Sequence, residues 1–274
     1  MAEKFDEYER LLKQRQKPDK IKKERIKTIV ISKPGSEISI SGSSKITGGE
    51  YRRIRVSGSL LIDGSVKTEE LKTSGSISIK GSAEANIVKV SGSMSVDGDL
   101  RASLISTSGS IKVCEDTYSD TLKVSGSISS DEIISNVIKC SGLISSKNIE
   151  ADDIMISGAI KVENDVTANN FHLKLKGRSR IGGTLKAKKI IVEKLEKWLS
   201  FIQLKIDFLE VDRIIGEEVR IEYTVCKEIR GEIIRIGREC RVTGNIYYVD
   251  EVTVHPKSKV DGKLVKVQRD EIYE

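Results

Sequence analysis

The sequence predicts an all-β fold, namely a single-stranded parallel β-helix preceded by a charged, flexible N-terminal arm. Three observations lead to this prediction. The dipeptide Ser-Gly recurs at nearly constant intervals, apolar and polar residues alternate after each pair, and aromatic side chains are scarce. Of the 274 residues, 33 are Ser and 12 are aromatic. A core of Ile, Val and Leu with so few rings favours thin, regular layers of stacked β-branched side chains.

The Ser-Gly repeat gives the length of one coil. Its glycines are 16 or 17 residues apart and occupy positions Gly42, Gly58, Gly75, Gly92, Gly109, Gly126, Gly142 and Gly158. An apolar residue stands two positions after seven of these glycines and four positions after six of them, as Ile77 and Ile79 follow Gly75. A helical repeat would need a 3.6-residue period and about 30 residues per unit. We therefore expect about 17 residues per coil, arranged as three short strands, with each coil stacked in parallel on the last.

The stacked coils are expected to form a triangular rod. Between Ile38 and Gly262 there is room for about 13 coils, which at ~4.8 Å per coil give a rod roughly 60 Å long. Parallel crossovers are almost always right-handed, and this favours a right-handed coil. The repeated glycine is expected to supply backbone freedom at a corner, and the neighbouring serine to bond the backbone of the turn.

A stretch near the C-terminus offers a rival pattern. Apolar residues recur there every six positions, at Ile236, Val242, Tyr248, Val254 and Val260. This spacing imitates the left-handed helices of acyltransferases, so an acyltransferase-like enzyme is a less favoured alternative. Coils of 16 or 17 residues over residues 41–170 do not fit a strict six-residue rule.

The chain divides into four segments. Residues 1–33 form a basic arm, disordered or a short helix, and residues 34–193 form the Ser- and Gly-rich coils. Residues 194–262 continue the β-helix less regularly, and residues 263–274 form a tail or cap. No apolar run reaches the ~18 residues that a membrane span needs, and no signal-peptide stretch is present. We therefore expect a cytoplasmic protein that can associate with a membrane.

Two basic segments are candidates for binding an anionic partner, such as a membrane surface or, less favourably, nucleic acid. The arm has 11 Lys or Arg against 6 Asp or Glu, and residues 171–198 form a basic collar with nine against two. The alternative is a solvated arm together with lysines that protect sheet edges. A lack of interleaved aromatic residues weakens the case for nucleic acid. The candidate residues are Lys13, Arg15, Lys17, Lys20, Lys22, Lys23, Arg25 and Lys27 in the arm, and Lys174, Lys176, Arg178 and Arg180 in the collar.

The sequence carries little that indicates catalysis. It has no glycine-rich phosphate loop leading into a helix, no G-x-S-x-G motif and no cluster of histidines with carboxylates. His172 and His255 are expected at the surface or in turns. The four cysteines form no C-x-x-C pair, so we expect reduced thiols, at least one of them buried, and no metal site. These features predict a non-enzymatic protein with no cofactor and no small-molecule substrate.

The repeated coil resembles a known family. Residues 57–64 read SGSLLIDG and residues 74–81 read SGSISIKG, and residues 219–242 look like the C-terminal coils of longer family members. Over residues 34 to about 262 the chain resembles the bactofilins, the polymer-forming cytoskeletal proteins of prokaryotes. The resemblance implies a right-handed triangular β-helix that polymerises end to end, without nucleotide, into filaments or scaffolds, often near the membrane.

The ends of the β-helix are the expected sites of self-association. An open coil has unpaired N–H and C=O groups and an uncovered apolar bore, so two ends brought together continue the sheet. If the arm and the tail cap these ends, the protein would instead be a monomeric or dimeric adaptor that binds membrane or nucleic acid through its arm and collar. The expected interface residues are Ile38, Ile40 and Ile46 at one end and Val252, Val254 and Val260 at the other.

Overall fold

The computed structural model describes residues 27–28, 35–194 and 207–272, and these residues form a stack of short parallel β-strands. No α-helix occurs within these ranges. The strands are β1 (Lys27–Thr28), β2 (Glu37–Ile40), β3 (Ser43–Val56), β4 (Ser59–Thr73), β5 (Ser76–Ile79), β6 (Ala83–Val90), β7 (Ser93–Val96), β8 (Leu100–Thr107), β9 (Ser110–Val113), β10 (Thr117–Val124), β11 (Ser127–Ser129), β12 (Glu132–Cys140), β13 (Leu143–Ser146), β14 (Asn148–Ile156), β15 (Ala159–Val162), β16 (Val166–Leu175), β17 (Ser179–Lys194), β18 (Leu209–Ile221), β19 (Thr224–Ile236), β20 (Arg241–Val242), β21 (Ile246–Val254), β22 (Lys259–Val260) and β23 (Leu264–Lys266), followed by a 3-10 helix (Asp270–Ile272).

Each coil contributes one segment to each of three faces. In the coil that contains β4, residues 59–62 form face 1, residues 66–68 form face 2 and residues 70–73 form face 3. The first segment pairs in parallel with β5 and the other two pair with β6. Faces 2 and 3 belong to one strand in most coils, and a single residue such as Asn86 leaves the ladder where that strand bends.

One inward column of face 3 passes through the whole stack. Its members, in register from the first coil to the last, are Ile38, Ile54, Leu71, Val88, Ile105, Leu122, Ile138, Ile154, Phe171, Ile190, Val219, Ile234 and Val252. All except the last are buried. The stack therefore has about 13 coils about 17 residues apart, which confirms the predicted parallel β-helix. Its right-handedness stays a prediction.

Seven of the eight glycines in the Ser-Gly pairs are required by the close approach of the preceding coil, whereas nothing lies within 4 Å of a Cβ added at the first, Gly42. A Cβ atom on Gly92 would collide with the backbone carbonyl of Gly75, and one on Gly109 would collide with that of Gly92. None of the eight glycines has a φ in the left-handed region. The expected role in backbone freedom is therefore wrong, because seven of these positions need the absence of a side chain rather than unusual backbone angles.

The stack continues past the stretch where the sequence repeat weakens. β17 pairs with β18 on the other side of residues 195–206, which lie outside the described residues, and Ile190 is in register with Val219. In the last coil Ile236 pairs with Val254, 18 residues later. The strands here are nevertheless unequal, since β20 and β22 have two residues each and β21 has nine.

Candidate interaction surfaces

The last coil leaves part of its apolar bore uncovered. One inward column passes from Ile236, at 3% exposure, to Val254, at 37%. A second passes from Ile246, at 0%, to Leu264, at 49%. In the described part of the chain only one other large hydrophobic side chain, Met155, is exposed. The C-terminal end is therefore the largest concentration of exposed apolar side chains in that part.

The strand edges of the same coil are also open. Val252 and Val260, the other two predicted interface residues at this end, pack partly against the core. Among the described strands, β22 pairs only with β20 and β23 pairs only with β21. An edge strand without a partner offers its N–H and C=O groups to another chain. The end thus combines apolar side chains with a template for sheet extension.

The C-terminal tail packs against the side of the rod rather than over its end. After β23 the chain turns back, and the 3-10 helix buries the side chain of its last residue. The Arg230 guanidinium donates a hydrogen bond to the backbone carbonyl of Glu271 at 3.0 Å, and Arg269 forms an ion pair with Glu232 at 2.7 Å. Arg230 and Glu232 belong to β19, one coil before the last. Within the described residues this segment therefore lies along the side of the rod and contacts β19.

The N-terminal end does not expose its bore in the same way. The side chains of Ile38, Ile40 and Ile46 are only 3%, 7% and 0% exposed. β1 lies before the first coil and pairs in parallel with residues 44–45 of β3, which extends face 1 by one strand. The expectation that these three side chains form an exposed apolar surface is therefore wrong, because less than a tenth of each side chain is exposed. Contact at this end would have to use the backbone edge of β2.

The basic collar is partly neutralised by carboxylates on neighbouring strands. The Lys174 Nζ atom lies 3.6 Å from a carboxylate oxygen of Glu193 on face 3. The Arg178 guanidinium lies 3.2 Å from the carboxylate of Glu210 on face 1. Two of the four predicted collar residues therefore already have an anionic partner within the protein, so they offer less free charge than the sequence suggests.

The remaining collar residues do not form a single patch with these two. Lys176 is exposed at the corner between faces 3 and 1, and Arg180 is exposed on face 1 in register with Lys161. The collar thus surrounds the rod, and no flat partner can contact all of it. The arm candidates Lys13, Arg15, Lys17, Lys20, Lys22, Lys23 and Arg25 lie outside the described residues, and Lys27 belongs to β1.

Face 3 carries a row of lysines that the sequence analysis missed. The lysine row, defined as Lys72, Lys89, Lys123 and Lys139, is continuous in register through Ser106, which stands between its second and third members. All four side chains are exposed. None of them forms an ion pair with another described residue. The signal was available in the sequence, because each lysine stands three residues before the glycine of a Ser-Gly pair.

In the four coils that follow that of Lys72, the other outward row of face 3 is mostly apolar. In the coil of Lys72 itself this row holds Glu70, which is paired with Arg53 and Arg55. This apolar row consists of Ile87, Leu104, Thr121 and Val137, which are in register and partly exposed. Over these four coils no Asp or Glu stands at an outward position of face 3. Face 3 therefore presents a strip of uncompensated positive charge beside a strip of aliphatic side chains.

The other two faces have a different chemistry. On face 2 charges of opposite sign are paired between coils, as Lys67 and Glu84 are at 2.6 Å, and the Arg101 guanidinium lies 3.8 Å from the centre of the Tyr118 ring. On face 1 one of the two outward rows is serine in five successive coils, beginning at Ser59, whereas the other row includes Leu61 and Lys112. Face 3 therefore differs from the other two faces, because its lysines are unpaired whereas face 1 carries a row of serines and face 2 carries paired charges.

The two histidines have clear local partners. A ring nitrogen of His172 lies 2.8 Å from the carboxylate of Glu193. This hydrogen bond, with a smaller contribution from Lys174, lowers the pKa of the Glu193 carboxyl. His255 accepts a hydrogen bond from the backbone N–H of Lys257 at 3.1 Å and lies in a turn, as expected. The sequence analysis did not anticipate the carboxylate beside His172.

Three of the four free cysteines are buried, in agreement with the expectation of at least one buried thiol. Cys114 is exposed, whereas Cys140, Cys226 and Cys240 are buried. Burial raises the pKa of the Cys140 and Cys240 thiols to about 11 and raises that of Cys226 as well.

Within the described ranges no group of three or more His, Cys, Asp or Glu side chains is placed to hold a metal ion. The same ranges contain no helix long and apolar enough to cross a bilayer.

Fold and surfaces together define a β-solenoid repeat protein with one open end and one lysine-rich face. Comparisons with protein-family models, with curated proteins and with solved structures find no match to this chain.

Proposed function

We propose that this chain is a non-enzymatic structural protein that associates end to end, without nucleotide, into filaments or scaffolds. The observation that carries the proposal is the open last coil, where Val254 and Leu264 stay exposed at the ends of columns that are buried everywhere before them. Self-association would cover these side chains. It would also give β22 and β23, which each pair with one strand, a second partner on the open edge.

The geometry of a stack makes a second copy the best partner for this end. A following coil must match three short strands and an aliphatic bore of triangular section, and the first coil of another copy has the same three faces. The column that ends at Val254 begins at Ile40 on β2, so docking on the backbone edge of β2 would bring the two ends of this column into line. Heterologous contacts of this type do not close and therefore produce filaments.

The resemblance of the coil motif to the bactofilins supports the same proposal. The exposed end also favours it over the monomeric adaptor, which requires covered ends. A second function through the collar receives less support, because Lys174 and Arg178 already have carboxylate partners. Because the two ends differ in exposure, variants of one end test the proposal better than variants of the other. Substituting Ile40 would disturb the bore as well as the contact, so variants of Val254 are the sharper probes.

Negative-stain electron microscopy of the purified protein without nucleotide tests this proposal. We expect filaments whose axial repeat is close to one rod length, roughly 60 Å at ~4.8 Å per coil. Discrete particles at all protein and salt concentrations would contradict polymerisation and favour the adaptor. Addition of ATP or GTP should leave the filaments unchanged, and a requirement for either would contradict the nucleotide-independent form of the proposal.

A further inference from the structure

We propose that face 3 is a docking surface for an anionic phospholipid bilayer, which the lysine row and the apolar row contact together. The four lysines project from one side of the rod over four coil steps, or roughly 19 Å at ~4.8 Å per coil. This surface is distinct from the arm and the collar, and it is distinct from the coil end proposed for self-association.

The charge of the lysine row has no partner within the described protein. Like charges on directly opposite strand positions are unfavourable. At other positions neighbouring coils place opposite charges together, as in the pair Lys80 and Asp97 at 3.0 Å. Lys72 is directly opposite Lys89, and Lys123 is directly opposite Lys139, without a carboxylate between them. An external anionic surface would supply the missing counter-charge.

The apolar row favours a bilayer over a linear polyanion. A nucleic acid strand would neutralise the lysines but would leave Ile87, Leu104 and Val137 against water. It would also find no outward aromatic ring on these coils of face 3 to stack its bases on. The interfacial zone of a bilayer can bind both kinds of side chain, since its anionic headgroups attract the lysines and its acyl chains contact the aliphatic residues.

The shape of face 3 matches a planar partner. Its segments are in continuous parallel register from β6 to β14, so the outward side chains stand on a sheet rather than on loops. Surface charges act over about 8 Å at physiological ionic strength. Lysines that project from a sheet can all lie within that distance of one membrane plane. This inference does not depend on self-association, since every copy carries the complete row.

Co-sedimentation of the full chain with vesicles tests the inference. The probes are vesicles of phosphatidylglycerol mixed with phosphatidylcholine, and vesicles of phosphatidylcholine alone, at about 0.15 M salt. We expect binding to the anionic vesicles only. The variant K89Q/K123Q should bind about 25-fold more weakly, at about fivefold per lysine. A second pair in the same row, K72Q/K139Q, should show the same loss.

A matched control removes the same charge from another face. The variant K112Q/K161Q alters two exposed lysines of face 1, and its binding should fall less than about threefold because those side chains point away from the membrane. Circular dichroism should show that all three variants keep the β fold, as the positions are exposed. Equal losses in all pairs would overturn the inference, because only net charge would then matter.

Two further outcomes would also overturn it. Binding that survives K89Q/K123Q but is lost in the arm variant K20Q/K22Q/K23Q would assign the membrane contact to the arm. Binding of single-stranded DNA or heparin that depends on Lys89 and Lys123, without binding to anionic vesicles, would assign the row to a linear polyanion. Vesicle binding that is lost only in the row variants supports face 3.

Discussion

Thr107 lies directly opposite Val90 in an inward column of face 3, and its hydroxyl has no hydrogen-bond partner among the described residues. The side chain is only 2% exposed, so this hydroxyl is separated from water as well. Thr73, one coil before Val90, is in the same position. The bore therefore contains two buried hydroxyl groups that form no hydrogen bond with the described residues.

Replacing Thr107 by valine should increase the free energy of unfolding by about 1 kcal/mol, because a buried, unpaired hydroxyl loses its hydration without compensation. Val fits the site, since the column already alternates between Thr and Val. We expect a rise of about 2–4 °C in the melting temperature. Thermal unfolding followed by circular dichroism checks this. The reverse substitution one coil later, Val124→Thr, should destabilise the protein, and equal melting of both variants would contradict the account.

Gly109→Ala should destabilise the stack by about 3 kcal/mol, because the new Cβ would collide with the carbonyl of Gly92 and force two coils apart. Gly42→Ala is the matched control. It alters the same Ser-Gly motif, but nothing lies within 4 Å of the added Cβ. Chemical denaturation of both variants provides the comparison. If Gly42→Ala proves as damaging as Gly109→Ala, coil contact is not the reason for the glycines.

Only one of the four thiols should react rapidly with a thiol reagent at pH 8. Cys114 is exposed, whereas burial raises the pKa of Cys140 and Cys240 to about 11 and so keeps these thiols protonated. The thiolate is the reactive form. Titration with Ellman's reagent should therefore show one fast group in the native protein and the others only in denaturant. A Cys114→Ser variant that keeps a fast thiol would contradict this assignment.

The ion pair of Glu193 should make a small, pH-dependent contribution to stability. Hydrogen bonding to His172 holds the pKa of the carboxyl below its ordinary value of 4.5, so the folded state binds this proton less tightly than the unfolded state does. The stabilisation is present above that value and is lost as the pH falls through the lowered pKa. Glu193→Gln should therefore melt earlier than the wild-type protein at pH 7 and equally at low pH. Glu150→Gln, on face 2, should melt like the wild-type protein throughout, and a gap that widens in acid would contradict the sign.

The sequence predicted the fold because the coil repeat records local geometry. A residue two positions after each glycine, such as Ile77, must point into the bore, and the interval between glycines sets the coil length. The sequence could not predict which end of the rod is open, because the exposure of Val254 depends on where the C-terminal tail packs. The tail is held by Arg230, and that contact joins residues 41 positions apart. The lysine row was readable as a position in the repeat, but its significance required knowing that the nearest carboxylate, Glu70 in the coil of Lys72, is already paired with Arg53 and Arg55.

Sedimentation velocity of Val254→Lys is the most direct test of self-association through the exposed last coil. A lysine at this position places a charge on the exposed apolar end without filling the bore. Met155→Lys is the matched control, since it charges a similarly exposed side chain on face 3. We predict that the wild-type protein and Met155→Lys form assemblies that grow with concentration, whereas Val254→Lys sediments as a single folded chain. Equal assembly of Val254→Lys and the wild-type protein, or a wild-type protein that stays a single chain at every concentration, would contradict the account.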